Sequence, residues 1–305
     1  MTTHTVLIAG GSGLVGKSLG EWLITRGYRV KLLGRSKSTQ AGTETFVWDP
    51  AKQTIDADAF AGVDYVVNLA GANVGEGRWT EKRKKELMDS RVQSTTLLAN
   101  TIIRNHLPIK KFIQANAVGY YGFTKNDREF VETDPPGNDF LAEICHAWEN
   151  ATTPLPNAGL PLLILRMGVV LSNKGGALKA MVQPVKMLAG APLGSGKQII
   201  PWIHMDDMVA IIAKGIEDPG FTGIYNATAP NPVTNQQITQ LIGKALKKPV
   251  WPLHVPAFLL RWMLGEQAQI ALYGNRISNK KLREAGYTFM YDEPEAAINN
   301  LVKRV

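Results

Sequence analysis

The run Gly10-Gly11-Ser12-Gly13-Leu14-Val15-Gly16 holds both G-x-G-x-x-G and G-x-x-G-x-x-G spacings. Glycine there permits a tight turn and lets backbone N–H groups approach a pyrophosphate, and a helix opening at the same point adds partial positive charge. The expected phosphate-binding residues are therefore Gly10, Ser12, Gly13, Leu14, Val15 and Gly16. Downstream, Lys31-Leu32-Leu33-Gly34-Arg35-Ser36-Lys37 lacks the carboxylate that would hold a ribose 2′-hydroxyl. Arg35, following Gly34, offers a guanidinium that can fork onto a 2′-phosphate, so the expected cofactor is NADP(H). Asp49 either caps an adenine or opens a turn before Pro50. In Asn68-Leu69-Ala70-Gly71, the backbone of Leu69, Ala70 and Gly71 can line the adenosine side.

Other groups with chemical capacity are few. Tyr120 and Tyr121 can donate a hydrogen bond or a proton near a nicotinamide, or simply pack over the crevice. Tyr121 and Lys125 have Tyr-x-x-x-Lys spacing, but glycine and the turn formers Asn126 and Asp127 surround them, whereas a working pair needs one helical face. His204, Asp206 and Asp207 resemble an acid/base set, although such aspartates more often cap the next helix. Five histidines and one cysteine show no metal-ligand spacing, so no metal is expected. No G-x-S-x-G nucleophile elbow occurs.

These residues need elements to position them. Val6–Ala9 reads as a strand and leads into the glycines. A helix through Leu19, Trp22 and Leu23 follows and closes at Gly27. Val30–Leu33, Phe46–Trp48, Val63–Leu69, Lys111–Ala115 and Leu162–Arg166 read as further strands. Thr80–Asn105 and Phe140–Thr152 read as helices between them. Such alternation predicts an α/β Rossmann-type, doubly wound parallel sheet. After Leu171 the pattern becomes rich in glycine and proline up to Trp202. Asp206–Glu217 then reads as a helix and Ile224–Asn226 as a strand, and Thr234 with Gln237 signals a capping box. The expected division is a nucleotide-binding domain of residues 1–171 with about 205–229, and a smaller C-terminal substrate lobe of about 172–204 and 230–305.

Composition narrows the classes. The 305 residues are 45% hydrophobic and 20% charged, with a formal charge of +8. That suits a globular chain with a sizeable core. Lone Cys145 excludes an internal disulfide and fits a reducing, cytoplasmic setting, and the N-terminus lacks the basic start of a signal peptide. Basic runs such as Lys82-Arg83-Lys84-Lys85 are scattered among carboxylates, so no nucleic acid is expected. Trp251–Leu264 is apolar but too short to span a bilayer and broken by prolines, so no membrane partner is expected, and it reads as a buried lid helix or a homodimer contact.

Together these residues resemble the extended short-chain dehydrogenase/reductases, through the glycine loop, Asn68-Leu69-Ala70-Gly71 and Tyr120-Tyr121-Gly122. More narrowly, the chain resembles the atypical epimerase family, related to NAD-dependent epimerase/dehydratases. That resemblance rests on Arg78-Trp79, Ser90-Arg91, Trp148-Glu149, the run Leu165-Arg166-Met167-Gly168-Val169-Val170-Leu171, and Trp202–Asp207. A C-terminal stretch around Pro256–Tyr291 is similar to that branch's uncharacterised tail domain. The resemblance implies NADP(H) binding and a small-molecule substrate between lobes. It puts Glu86 near the adenosine end, Arg91 near a phosphate or a substrate anion, and Val170 beside the nicotinamide. On the bland reading, Glu86 and Arg91 sit on a solvated helix face.

Active members of that superfamily use Ser or Thr, Tyr and Lys. Here Asn116 falls where the serine belongs. The Tyr and Lys positions are Leu141 and Cys145, or Phe140 and Ile144 one residue earlier, and neither register supplies a phenol or an ammonium. Two functions remain: an NADP(H)-dependent oxidoreductase or epimerase drawing its proton from Tyr120, Tyr121, water or substrate, and a non-catalytic NADPH sensor or scaffold.

Overall fold

Alternate residues of Thr5–Ala9 (β1) enter two different cores: Val6 and Ile8 join one apolar cluster, Leu7 and Ala9 another, and all four are fully buried. A strand buried on both faces belongs inside a sheet covered on both sides. The computed structural model, which describes residues 4–36, 41–124 and 128–303, contains that sheet. Its strands are β1, Arg29–Gly34 (β2), Thr43–Asp49 (β3), Thr54–Ile55 (β4), Tyr65–Asn68 (β5), Lys111–Ala117 (β6), Leu162–Met167 (β7) and Gly223–Ala227 (β8). They lie in the order β8-β7-β6-β5-β1-β2-β3-β4, every pair parallel except β3 with the short β4. The fold is the expected Rossmann-type α/β architecture.

Leu14–Thr25 (α1) and Met205–Glu217 cover the face of Val6 and Ile8, through Leu19, Leu23, Met208 and Ile212. Glu81–Arg104 (α2) covers the other face with Leu97, Leu98 and Ile102. Side chains fix where these helices start. Thr80 accepts from the backbone of Arg83, and Asp139 caps Phe140–Asn150 (α3) by accepting from Leu141 and Ala142. Gly27, at φ +81°, makes the left-handed turn after α1 that a side chain would resist. The chain leaves β1 toward β2 and β3, then returns on the other side of β1 as β5. Strand order thus reverses between β1 and β5, which opens a crevice at their carboxyl ends.

Beyond β7 a further cluster forms around Leu178, Val182, Trp202, Ile238, Ile242 and Leu301. The capping box is present, with Thr234 and Gln237 each bonding the other's backbone at the start of Asn235–Leu246. The C-terminal stretch also packs back on this domain: Arg276–Ile277 pairs with Glu129–Phe130 in a separate two-stranded sheet, and Leu282 is buried in the same apolar cluster as Val6 and Ile8. The expectation of a buried lid around Trp251–Leu264 is not met. Ala257–Leu264 is helical but buries only Leu260, leaving Phe258 and Trp262 exposed.

Candidate functional site

The glycine loop is shaped by contacts that leave no space for side chains at two positions. A Cβ on Gly10, at φ +79°, would lie 2.7 Å from the Leu69 carbonyl, and one on Gly16 would lie 2.4 Å from the Gly10 oxygen. Gly13 differs. Its nearest contact would be the Gly10 oxygen at 3.2 Å, and its own N–H already donates to that oxygen at 3.0 Å. Gly13 precedes the first residue of α1 without any side-chain cap, so the opening N–H groups at Leu14 and Val15 face a mouth where Ser12 and Gly13 are exposed. Uncapped helix N–H groups beside an open loop make an anion cradle. Leu69 closes its inner wall by donating from its N–H to the Ala9 carbonyl, while Ala70 donates to the Asn68 side chain. Gly34 ends β2 and Arg35 stands exposed next to it. Val170 is half-buried in Val169–Leu171, paired with Ile203.

Three residues expected at the cofactor have their partners within the protein. Asp49 accepts from the N–H groups of Ala51 and Lys52 and lies 3.7 Å from the Lys52 ammonium, so of its two expected roles the structure displays the turn. Glu86 forms an ion pair with Arg83 at 2.8 Å on α2. Arg91 donates to the Leu87 carbonyl, lies over the Trp148 ring at 5.0 Å, and would meet a Cβ on Gly71 at 3.1 Å. Burial pulls the Arg91 pKa below its ordinary value, the neighbouring Arg83 charge acts the same way, and Cys145 opposes both. No carboxylate lies within ion-pair distance of Arg91 among the described residues, which leaves a half-buried cation at the edge of the crevice.

The expected proton donors lie elsewhere than in an open crevice. Tyr121 is 1% exposed, and its hydroxyl donates to the Asn226 side chain at 2.7 Å while accepting from Arg166 at 2.9 Å. Burial above all pushes its pKa up to about 12, even against the pull of Arg166 and Asn226. Tyr120 is buried with the Arg166 guanidinium 3.5 Å from its ring centre, and burial raises its pKa too. Asn116 donates to the Cys145 carbonyl and to Glu149, and is 2% exposed. The Tyr121–Lys125 spacing, read as loop and not as a working pair, falls partly outside the described residues, which exclude Lys125, Asn126 and Asp127.

Sequence reasoning missed what these side chains do. Asn116, Arg166 and Asn226 are register neighbours across β6, β7 and β8, forming a polar row inside the sheet. Arg166 grips Glu149 bidentately, at 3.1 and 2.8 Å, and donates to the Glu132 carbonyl. Burial works against its charge, and the hydrogen bonds and charges of Glu149 and Tyr121 together outweigh that, so its pKa is raised. Arg166 lies on β7 and Glu149 on α3, so no spacing along the chain signals that they meet.

Leu141 and Cys145 lie one turn apart on α3 and both face Gly119, where a Cβ would lie 3.5 Å from the Cys145 sulfur and 3.5 Å from the Leu141 Cβ. Burial pushes the Cys145 thiol up to about 12. A raised pKa leaves almost no thiolate at pH 8, so Cys145 can be neither base nor nucleophile there. Alkylation of the native protein at pH 8 should be at least about 100-fold slower than for an unperturbed thiol, and should recover on denaturation. Rapid native labelling would contradict the burial.

His204 and the neighbouring aspartates serve the fold. The His204 ring stacks on Tyr291 at 3.8 Å and accepts from the Asp206 N–H, while Asp207 is fully buried and accepts from Tyr287, Met290 and Tyr291. A cavity of about 490 Å³ lies beside them, against Ser18, Trp22 and Lys174. It lies off the glycine loop, so it does not mark the dinucleotide crevice. No cluster of metal-binding side chains occurs among the described residues.

Sheet order, reversal point and glycine cradle together define a Rossmann protein with a dinucleotide-type site. More narrowly, the chain belongs to the NAD dependent epimerase/dehydratase family, which residues 6–227 match, and residues 255–301 match a domain of unknown function, DUF1731. It is 37% identical over 300 residues to an epimerase family protein of Mycobacterium leprae, ML0860, covering 98% of this chain and 96% of that one. It is 32% identical over 301 residues to the human epimerase family protein SDR39U1, covering 97% and 99% respectively. The crystal structure of human SDR39U1 (isoform 2) with NADPH superimposes with a TM-score of 0.87 at 31% identity, covering 99% of this chain and 100% of that one.

Proposed function

We propose that this chain binds NADP(H) without a side-chain proton relay, as a sensor or scaffold whose nucleotide state is read by its second lobe. The observation that carries this reading is the pairing of Leu141 and Cys145 against Gly119, an i, i+4 face that offers no transferable proton at neutral pH. Gly10, Ser12, Gly13, Leu14, Val15 and Gly16 would hold the pyrophosphate, and Arg35 the 2′-phosphate. Leu69, Ala70 and Gly71 would line the adenosine side, with Glu86 and Arg91 on α2 and Val170 toward the nicotinamide. We assign the reading lobe to about 172–204 and 230–305. NADP(H), when bound, supplies hydride-transfer chemistry. The solved structure of a relative with NADPH supports the choice of cofactor, and the exposed guanidinium after Gly34 supports NADP over NAD.

Titration should give tighter binding of NADPH than NADH. Arg35→Ala should remove most of the difference, on the order of 10- to 100-fold for a lost charge-assisted phosphate contact. Equal wild-type affinities would refute the role given to Arg35. A second reading, hydride transfer to an anionic substrate, is favoured by the half-buried Arg91 cation. Substrate-dependent oxidation of NADPH that disappears in Arg91→Ala would support that reading and sink the sensor.

A further inference from the structure

The net charge of this chain is carried by two stretches. Between Glu149 and Asp206, and again between Asp218 and Glu266, no aspartate or glutamate occurs, yet the two stretches hold nine lysines and arginines. The remainder is nearly neutral, so these stretches account for the whole of the +8. Of their cations, Arg166 is buried, while Lys174 and Lys244 pair with Glu21 and Glu295 from outside. Among the described residues Lys197, Lys247, Lys248 and Arg261 form no ion pair.

The same stretches expose apolar side chains that ordinary packing would cover. Among the described residues, seven of the eleven exposed large apolar side chains lie here, including Met187, Trp251, Leu253, Phe258, Trp262 and Met263. Phe258 and Trp262 are 73% and 75% exposed. They form one face. Trp251 donates from its backbone to the Gly190 carbonyl and from its indole to the Leu188 carbonyl, and Leu193 bridges to Val255. Arg78 adds a further cation by donating to the Trp262 and Met263 carbonyls at the end of the adjoining helix.

We propose that this face rests on the surface of a bilayer containing anionic lipid. Aromatic and aliphatic tips surrounded by lysine and arginine suit the boundary between headgroups and acyl chains, where apolar burial and attraction to anionic lipid act together. Ala257–Leu264 is only eight residues long, and among the described residues no helix is long and apolar enough to cross a membrane. The protein therefore lies on the surface and does not span it. A second copy is the poorer occupant, because a two-fold interface would set Lys197, Lys247, Lys248 and Arg261 against the same cations of the other copy. Single-stranded nucleic acid would stack on the aromatic rings but leave Leu253, Met187 and Met263 without a partner.

The test is flotation of the purified full chain with vesicles of phosphatidylcholine alone, or with about 30% phosphatidylglycerol, at about 0.1 M and 0.5 M salt. The expected result is at least about ten-fold more binding to the anionic vesicles at low salt than to neutral ones. Phe258→Ser with Trp262→Ser should lower that binding at least about ten-fold, because two membrane anchors are lost. Lys247→Glu with Lys248→Glu should act similarly, and restoring salt dependence with Lys247→Arg and Lys248→Arg checks that charge is the cause. Thermal melting verifies folding, since all four side chains lie at or near the surface. No binding to anionic vesicles, or equal binding to neutral ones, would overturn the proposal. So would a dimer in sedimentation velocity, or an oligonucleotide complex, that the Phe258→Ser, Trp262→Ser variant abolishes while vesicle binding persists.

Discussion

Arg166→Met should lower the stability of this protein by about 3–5 kcal/mol, the usual cost of removing one partner from a buried ion pair. The side chain is 1% exposed and holds both oxygens of Glu149. It also donates to the Tyr121 hydroxyl and the Glu132 carbonyl, with the Tyr120 ring against its face. Methionine fills similar space but donates nothing, so a carboxylate that is 13% exposed at its side chain would lose its counter-charge inside the protein. Thermal unfolding should shift downward by roughly 6–15 °C. Arg166→Met combined with Glu149→Leu should recover part of that loss, since an apolar pair removes the uncompensated charge. An unchanged midpoint in the single variant would mean the ion pair contributes little. Strict additivity in the double variant would mean the two residues do not act together.

That network also shows where the sequence was readable and where it was not. The glycine loop was legible because its function depends on neighbours in sequence: a strand before it, a helix after it, and glycines at fixed spacing. The same holds for Thr234 with Gln237, where the capping box spans three residues. Asn116, Tyr121 and Arg166 depend on partners far along the chain, 33 residues from Asn116 to Glu149 and 105 from Tyr121 to Asn226. Strand periodicity places such residues on a strand without saying which lies beside them. Pairing of β6 with β7 and of β7 with β8 is what turns Asn116, Arg166 and Asn226 into one row. Asn116 was therefore read as a substitute for a catalytic serine, although its amide is bonded to Glu149. Leu141 and Cys145 were legible for the opposite reason: their i, i+4 spacing lies within one helix.

The polar row changes the chemical reading of the crevice. Tyr121, in the turn after β6, is buried and held by two hydrogen bonds, and Tyr120 lies beneath a guanidinium, so neither hydroxyl is arranged as a proton donor to a bound molecule. Arg91 is different: it is half-buried at Gly71, and its only described hydrogen bond goes to a carbonyl of its own helix. A cation in that state attracts an anion more strongly than an exposed one, because less water screens it. Phosphate recognition is thus better supported by this chain's residues than proton transfer.

Gly13→Val should abolish measurable NADPH binding while leaving the protein folded. The backbone of Gly13 is in an extended conformation at φ −73°, open to any residue, and the nearest obstacle to a Cβ is the Gly10 carbonyl at 3.2 Å. Branching at Cβ would project into the exposed mouth, between the approaching phosphate and the first N–H groups of α1. Losing two charge-assisted contacts costs about 3–6 kcal/mol, which weakens binding on the order of 100- to 10,000-fold. Gly16→Val provides the contrast. Its Cβ would collide with the Gly10 oxygen at 2.4 Å and the Gly11 Cα at 2.7 Å, so that variant should lose stability along with binding. Calorimetric titration beside thermal melting separates the two cases. Gly13→Val should melt within a few degrees of wild type, consistent with a change below about 2 kcal/mol, while Gly16→Val should melt well below it. Retained NADPH affinity in Gly13→Val would place the phosphates somewhere other than this loop. Equal melting of the two variants would show that the close approach of Gly16 to Gly10 is not what holds the turn in shape.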